Sequence, residues 1–321
     1  MTLFRRSLLT LAIAGLAVCL SSLPARPAMA AEKLTLLLDW FLNPDHGPLV
    51  IAEARGYFAD AGLEVEMIEP ADPNDPPKLV AAGQADLAVS YQPQLHIQAA
   101  AGLPLTRIGT LVATPLNSLV VLADGPVTSL QDLRGRKVGF SVGGFEDALL
   151  GAMLDGAGLG LEDVELVNVN FSLSPALLSG QVDAVIGAYR NFELNQLELE
   201  GREGIAYFPE EHGVPAYDEL ILIANRADLA DPRLPRFLLA VERGVQYLIN
   251  HPEESWRIFA SYKEGLDDEL NRRAWNDTLP RFALRPAALD AGRYRRFADF
   301  LRAAGVVDSV PPLESYAISL D

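Results

Sequence analysis

Asp39, Trp40, Asn43 and His46 lie close together in the stretch LLLDWFLNPDHG (36–47), directly after a run of leucines. A carboxylate, an indole, an amide and an imidazole in that order can stack a flat ring and hydrogen-bond its edge. Similar sets follow other apolar runs. Tyr91, Gln92 and Pro93 follow ADLAVS, and Gly143, Gly144 and Phe145 follow VGFS. Tyr189, Arg190, Asn191, Phe192 and Glu193 follow VDAVIGA, while Asn117, Asp218 and Glu219 stand in two further strand-like stretches. Aromatic faces offer stacking. Amides and carboxylates satisfy ring nitrogens and amino groups, as acidic residues do with the amine of cytosine. A phosphate or sulfonate would instead want lysine, arginine or exposed backbone N–H groups. Arg190 and the SVGGF turn keep an anion open.

The candidate ligand-binding set is therefore Asp39, Trp40, Asn43, His46, Tyr91, Asn117, Gly144, Tyr189, Asn191, Glu193 and Asp218. Phe145 and Phe192 are assigned to packing. Plainer uses compete with the set: Trp40 and Tyr91 as core anchors, Glu193 as a first-turn acid of a helix beginning near Asn191, and His46 as a solvated residue at a helix start. No catalytic residue, metal site or cofactor is called for. GxGxxG and HExxH are missing from the sequence, and His46, His96, His212 and His251 lie far apart.

Elements must bring these residues together. Apolar runs alternate with helical stretches, which places the chain in the α/β class. KLTLLL, LEVEMIE and ADLAVS read as strands, GPLVIAEARGYFADAG as an amphipathic helix ended by Gly62, and PPKLVAAG as a short helix. The second part echoes the first at an offset near one hundred residues. GQADLAV (83–89) matches GQVDAVI (180–186), AGLEVEMIE is echoed by AGLGLEDVELVNV, and LTLLLDW corresponds to KVGFSVG. So long an offset fits two similarly built lobes rather than a solenoid. After DELILIAN (218–225) the chain turns helical, with Pro252 and Pro286 near helix starts. Two strand-like stretches, 111–123 and 217–225, are the hinge candidates. Lobe 1 is expected to comprise 31–117 and 221–321, and lobe 2 to comprise 118–220. In open α/β sheets, ligands bind beyond the carboxyl ends of strands, where the candidate residues fall.

Charge and cysteine use narrow the setting. Residues 1–30 combine a basic start, an apolar core and Ala28-Met29-Ala30, the pattern of a signal peptide cleaved after Ala30. An uncleaved anchor and a lipoprotein on Cys19 are the alternatives, the latter disfavoured by Val18. Removal of residues 1–30 would take the net charge from -17 to -20. Such an acid excess argues against nucleic acid and anionic membrane surfaces. Cys19 is the only cysteine, so the mature chain has no disulfide and no thiolate chemistry. That suits the periplasm.

LDWFLNPDHGPLVIAEARGYFADAGLEVE, PADPNDPPKLVAAGQADLAVSYQP, PLNSLV, DLRGRKVGFSVGG, VNVNFSLSPALLSGQVDAVIGAYRNFE and HGVPAYDELILIAN together resemble the thiamine-precursor binding proteins of ABC importers. The wider group includes sulfonate- and nitrate-binding proteins and the yeast-type thiamine pyrimidine synthase. The resemblance covers nearly the whole mature chain. It implies a type II periplasmic binding protein: two α/β lobes with a ligand cleft between them, a helical C-terminal extension, and a monomer that docks on an inner-membrane permease. The implied ligand is an aminopyrimidine, formylaminopyrimidine or hydroxymethylpyrimidine. The synthase is the enzyme alternative. It uses pyridoxal phosphate, iron, its own histidine and a cysteine-rich run. AYDELILIA stands where that run would fall, and Gln94 stands nearer the histidine position than His96. Binders of a sulfonate, nitrate or another small ring remain the third alternative.

Overall fold

The computed structural model describes residues 31–320, so the expected leader and its cleavage site lie outside the described residues. Ten strands form two five-stranded sheets. In chain order they are β1 (Glu32–Leu37), β2 (Leu63–Ile68), β3 (Leu87–Ser90), β4 (Leu105–Val112), β5 (Asn117–Leu122), β6 (Lys137–Phe140), β7 (Glu165–Asn168), β8 (Ala184–Tyr189), β9 (Gly204–Tyr207) and β10 (Leu220–Asn225). One sheet has the order β2-β1-β3-β10-β4 and the other β7-β6-β8-β5-β9. Each is mixed: one strand, β10 or β5, runs antiparallel to both its neighbours, and the other four run in one direction. The two-lobe α/β architecture is thus built twice from one plan, with β1, β2 and β3 matched by β6, β7 and β8.

The sequence echo has a physical cause. Asp86 of GQADLAV accepts the backbone N–H of Thr35 in β1 at 2.8 Å, and Asp183 of GQVDAVI accepts that of Lys137 in β6 at 3.0 Å. Each aspartate also meets an arginine, Arg233 at 2.9 Å and Arg136 at 3.5 Å respectively. The repeated acid therefore locks the register of a buried strand against its neighbour in both lobes. Leu34, Leu36 and Leu38 of the first sheet are buried, each such side chain contributing about 1.5–3 kcal/mol.

The chain crosses between sheets twice, at 113–116, inside the first expected hinge stretch, and at 208–219, overlapping the second. Helices Arg233–Asn250, Pro252–Tyr262, Glu269–Thr278 and Ala291–Ala303 follow β10. Two expectations need correction. The stretch from Gly47 to Gly62 is two helices, Gly47–Ala54 and Tyr57–Asp60, broken at Gly56, whose φ of +72° lies in the left-handed region. Pro286 does not open a helix. The last long helix starts at Ala291, where Asp290 accepts the N–H of Arg293 at 2.9 Å, and the Pro286 carbonyl instead accepts from Thr110 and Arg107.

Candidate functional site

A narrow cavity lies where the strand ends of the two sheets face each other. It is lined by Asp39, Trp40, Asn43, Asp45 and Tyr91 from the first lobe, and by Phe145, Glu146, Leu173, Gly187, Tyr189, Phe192 and Glu193 from the second. The cavity left inside this shell is only about 30 Å³, far below the roughly 300–1,000 Å³ usual for small-molecule sites, so the closed lobes enclose little more than the room of one water.

The first lobe contributes a preset turn. Asn43 caps a single turn, Pro44–His46, its Oδ1 accepting the N–H of Asp45 at 2.8 Å. The N–H of Asn43 donates to His46 Nδ1 at 3.2 Å, which leaves Nε2–H of His46 to donate to Asp39 Oδ1 at 2.9 Å. Tyr91 donates its hydroxyl to the other oxygen, Asp39 Oδ2, at 2.9 Å. Asp39 is therefore held from two sides at the end of β1. Burial and the neighbouring Asp39 push the Tyr91 phenol well above its ordinary range, so it remains a donor.

The second lobe contributes two glutamates. Glu146 Oε2 accepts the backbone N–H groups of Ser141 and Val142 at 2.8 and 3.1 Å. Glu193 Oε2 accepts that of Tyr189 at 2.6 Å. Burial raises the Glu146 carboxyl to about 8 and the Glu193 carboxyl to about 7, in each case against the lowering effect of those N–H groups. Asp45 is raised to about 6 by burial, opposed by Thr278, His46 and Asn191. Gly187 has φ of +96°, at a register shift where β8 bulges against β5. A Cβ there would stand 2.4 Å from Glu146 Oε1. Only glycine leaves room for that carboxyl.

Rings from the two lobes meet across the cavity. Tyr91 stacks on Phe145 at 4.8 Å between centroids, and Trp40 meets Phe171 edge-on at 4.6 Å. Phe41 also packs on Phe171, at 4.5 Å, and meets Trp40 edge-on at 6.4 Å. Polar ties also cross: Asn74 Nδ2 donates to the Ser141 carbonyl at 3.2 Å, and its Oδ1 accepts the N–H of Gly143 at 3.1 Å. Asn191 Nδ2 donates to Asp45 Oδ1 at 2.7 Å, and Thr278 joins the same oxygen at 2.8 Å. The lobes stand closed on one another.

Of the eleven candidate residues, Asp39, Trp40, Asn43, Tyr91, Tyr189 and Glu193 line the cavity. His46 is buried behind Asp39 with both ring nitrogens occupied. Asn191 stands behind Asp45, and Asn117 holds the Gly187 N–H at 3.1 Å. Asp218 lies elsewhere, accepting from Thr110 at 2.9 Å and paired with Arg293. Gly144 faces a separate, open groove toward the 291–303 helix. Phe145, assigned to packing, is buried and stacked on Tyr91, and both it and Phe192 also border the cavity. Sequence reasoning passed over Asp45, Glu146 and Gly187. The glycine inside a strand, a usual mark of a bulge, was the available signal for Gly187; Glu146 reads as an ordinary first-turn acid.

Residues 43–255 match the NMT1/THI5 like family model. A protein of Haemophilus influenzae named for thiamine biosynthesis is 56% identical over 296 residues, covering 92% of this chain and 94% of that one. The formylaminopyrimidine-binding protein of Halalkalibacterium halodurans is 36% identical over 274 residues, 84% of this chain and 82% of that one. A 4-amino-5-hydroxymethyl-2-methylpyrimidine phosphate synthase of Legionella pneumophila is 29% identical, with 78% and 80% covered. Among solved structures, the alkanesulfonate-binding protein SsuA of Xanthomonas axonopodis superposes with a TM-score of 0.68 at 18% identity, covering 90% of this chain and 96% of that one. That likeness concerns the fold.

Proposed function

Since this chain belongs to the NMT1/THI5-like family, we propose that it is the extracytoplasmic solute-binding protein of an ABC importer, closing its two lobes on a thiamine-related aminopyrimidine. The observation that carries the reading is the lining of the cavity: stacked rings on two sides, carboxyl groups along the edges, and no lysine or arginine among the lining residues. Trp40 and Tyr91 offer faces to a flat heterocycle. Glu193, from the opposite lobe, accepts from its amino group. The formylaminopyrimidine-binding relative supports this ligand class. An anionic sulfonate would meet four carboxyl groups and no cation, which disfavours it. The same reading places the mature protein in the periplasm as a monomer, released after Ala30, with lobe 2 spanning 118–220 and an inner-membrane permease as its partner.

The synthase relatives keep an enzyme reading in view. In this chain Gln94, near the place of the synthase histidine, bonds Ser90 at 3.1 Å. His96 is buried between the carbonyls of Gln92 and Tyr294 at 2.8 and 3.0 Å, away from the cavity lining. The test is thermal stabilisation across formylaminopyrimidine, hydroxymethylpyrimidine, an alkanesulfonate and nitrate. A ligand at 100 times its dissociation constant adds about 2.7 kcal/mol. Stabilisation by the pyrimidines, which are returned unchanged, is the expected result. Stabilisation by sulfonate or nitrate alone, or pyrimidine formation from pyridoxal phosphate with iron, would overturn it.

A further inference from the structure

The two cavity glutamates are each half used. Glu146 is 3% exposed and Glu193 9% exposed. Each commits Oε2 to backbone N–H groups of its own lobe. Among the described residues, neither Oε1 receives a hydrogen bond from another residue. Glu146 Oε1 occupies the space that Gly187, itself a lining residue, leaves by having no side chain. Two deeply buried carboxyl groups thus present free oxygens to one cavity, and Asp39 and Asp45 complete its acidic lining.

The edge of an aminopyrimidine sets a donor, the amino N–H, beside an acceptor, the ring nitrogen. An ionised carboxylate matches only the amino group, because its oxygens repel the lone pair of the ring nitrogen. A carboxylic acid offers a donor to that nitrogen and has acceptor capacity left over. We infer that the bound complex keeps one proton between Glu146 and a ring nitrogen of the ligand, while Glu193 binds the amino group as a carboxylate. The inference rests on the aminopyrimidine reading above. It makes affinity a function of pH on the alkaline side.

The acidic groups around this proton favour its retention, against the Ser141 and Val142 N–H groups that favour the carboxylate. Glu219 and Asp147 act on Glu146 by like charge, and the phenol of Tyr91 feels Glu146 as well. Asp45 acts likewise on Glu193. Arg190, the nearby cation, is turned away: it pairs with Glu210 at 2.6 Å and lies over Phe208. His46 has both ring nitrogens engaged. With burial already holding the empty Glu146 up to about 8, the proton is present before binding near neutrality and must be taken from solution above that range.

Titration calorimetry with hydroxymethylpyrimidine in two buffers of different ionisation enthalpy reads the proton directly. At pH 8.5 the expected result is uptake of more than about half a proton per ligand. The dissociation constant should weaken below about pH 7, where Glu193 must give up its proton to bind as a carboxylate, and again above about pH 8, where Glu146 must take one up, approaching about tenfold per pH unit on the alkaline side. Glu146→Gln keeps an N–H donor but cannot titrate, so whatever its affinity near neutrality, its alkaline weakening should flatten and its proton uptake at pH 8.5 should vanish. Saturable binding by the wild type with enthalpies that agree between buffers at every pH overturns the shared proton and leaves the aminopyrimidine reading standing. The absence of binding at any pH overturns both.

Discussion

At the residue scale, the division of labour is sharp. Trp40 lies half-buried against Phe41, Phe171 and the cavity, so on the proposed reading it would serve both the ligand and the closed state. Trp40→Ala should weaken pyrimidine binding by about 1–3 kcal/mol through lost stacking and apolar contact. Glu193→Gln turns an acceptor into a donor facing an amine and should cost roughly 1–3 kcal/mol. Calorimetry of both variants, beside melting without ligand, separates binding from stability; unchanged affinity in both would remove them from the site. The raised carboxyls also set the response of the empty protein to pH. A carboxyl whose folded value lies above its unfolded value binds more protons when folded. Its effect on stability is therefore neutral below the unfolded value near 4 and unfavourable as pH rises through the folded value. Asp45 at about 6, Glu193 and Glu219 at about 7 and Glu146 at about 8 all act in that sense. Each shifted unit corresponds to roughly 1.4 kcal/mol. Calorimetric melting should give a lower midpoint at pH 8.5 than at pH 6, a slope that Glu146→Gln reduces. A midpoint rising over this interval would contradict the assignment.

Elements carry the geometry that single residues cannot. The bulge in β8 turns Tyr189 and the helix Glu193–Leu199 toward the cleft, and Gly187 is its pivot. Gly187→Ala would place a side chain in the left-handed region, at about 1–2 kcal/mol, and drive a methyl into Glu146. A stability loss of about 2 kcal/mol or more in urea unfolding is expected, with binding abolished; wild-type affinity in this variant would show that the Glu146 carboxyl is free to move. Much at this scale was legible in the sequence. The GQADLAV and GQVDAVI echo pointed to matching strands because the same aspartate performs the same backbone task in both sheets. The strand ends pointed to Asp39, Tyr91 and Glu193, because an apolar run that stops at polar and aromatic residues marks a boundary. What stayed hidden depends on partners distant in the chain. Asp45 meets Asn191 and Thr278 across 146 and 233 residues, a pairing no local pattern carries. Asp218 and Asn117 looked equally suited to a ligand, but Arg293 and Thr110 claim Asp218, whereas Asn117 gives only its Oδ1 to the Gly187 amide and keeps a buried Nδ2 without a partner among the described residues.

For the whole molecule, closure is the property on which function depends. The contacts holding the lobes together are mixed: the Trp40–Phe171, Phe41–Phe171 and Tyr91–Phe145 ring pairs, the Asn74 ties, the bonds of Asn191 to Asp45 and Thr278, the Asn195–Asp277 bond and the Arg273–Glu198 ion pair. A bound ligand would add its own bridging contacts to this set and favour the closed state further. Small-angle scattering should show a modest contraction when pyrimidine is added. Phe171→Ala, which removes the second-lobe ring that both Trp40 and Phe41 pack against, should raise the dissociation constant about three- to tenfold, in line with about 0.5–1.5 kcal/mol for an aromatic pair. Equal scattering curves with and without a saturating ligand would mean that the lobes do not move.

The strand order has a temporal consequence. The second sheet is drawn entirely from residues 117–207, whereas the first has β10, from 220–225, inserted between β3 and β4. In a chain emerging amino end first, the earliest strands made belong to the sheet completed last. Until β10 arrives, β3 and β4 have no common neighbour, and the apolar faces of Leu87, Val89, Ile108 and Leu111 remain uncovered. The middle of the chain is thus the part able to finish on its own, while the beginning waits, sticky and incomplete, for the end. A nascent molecule of this design would be most exposed to chaperones along its first hundred residues.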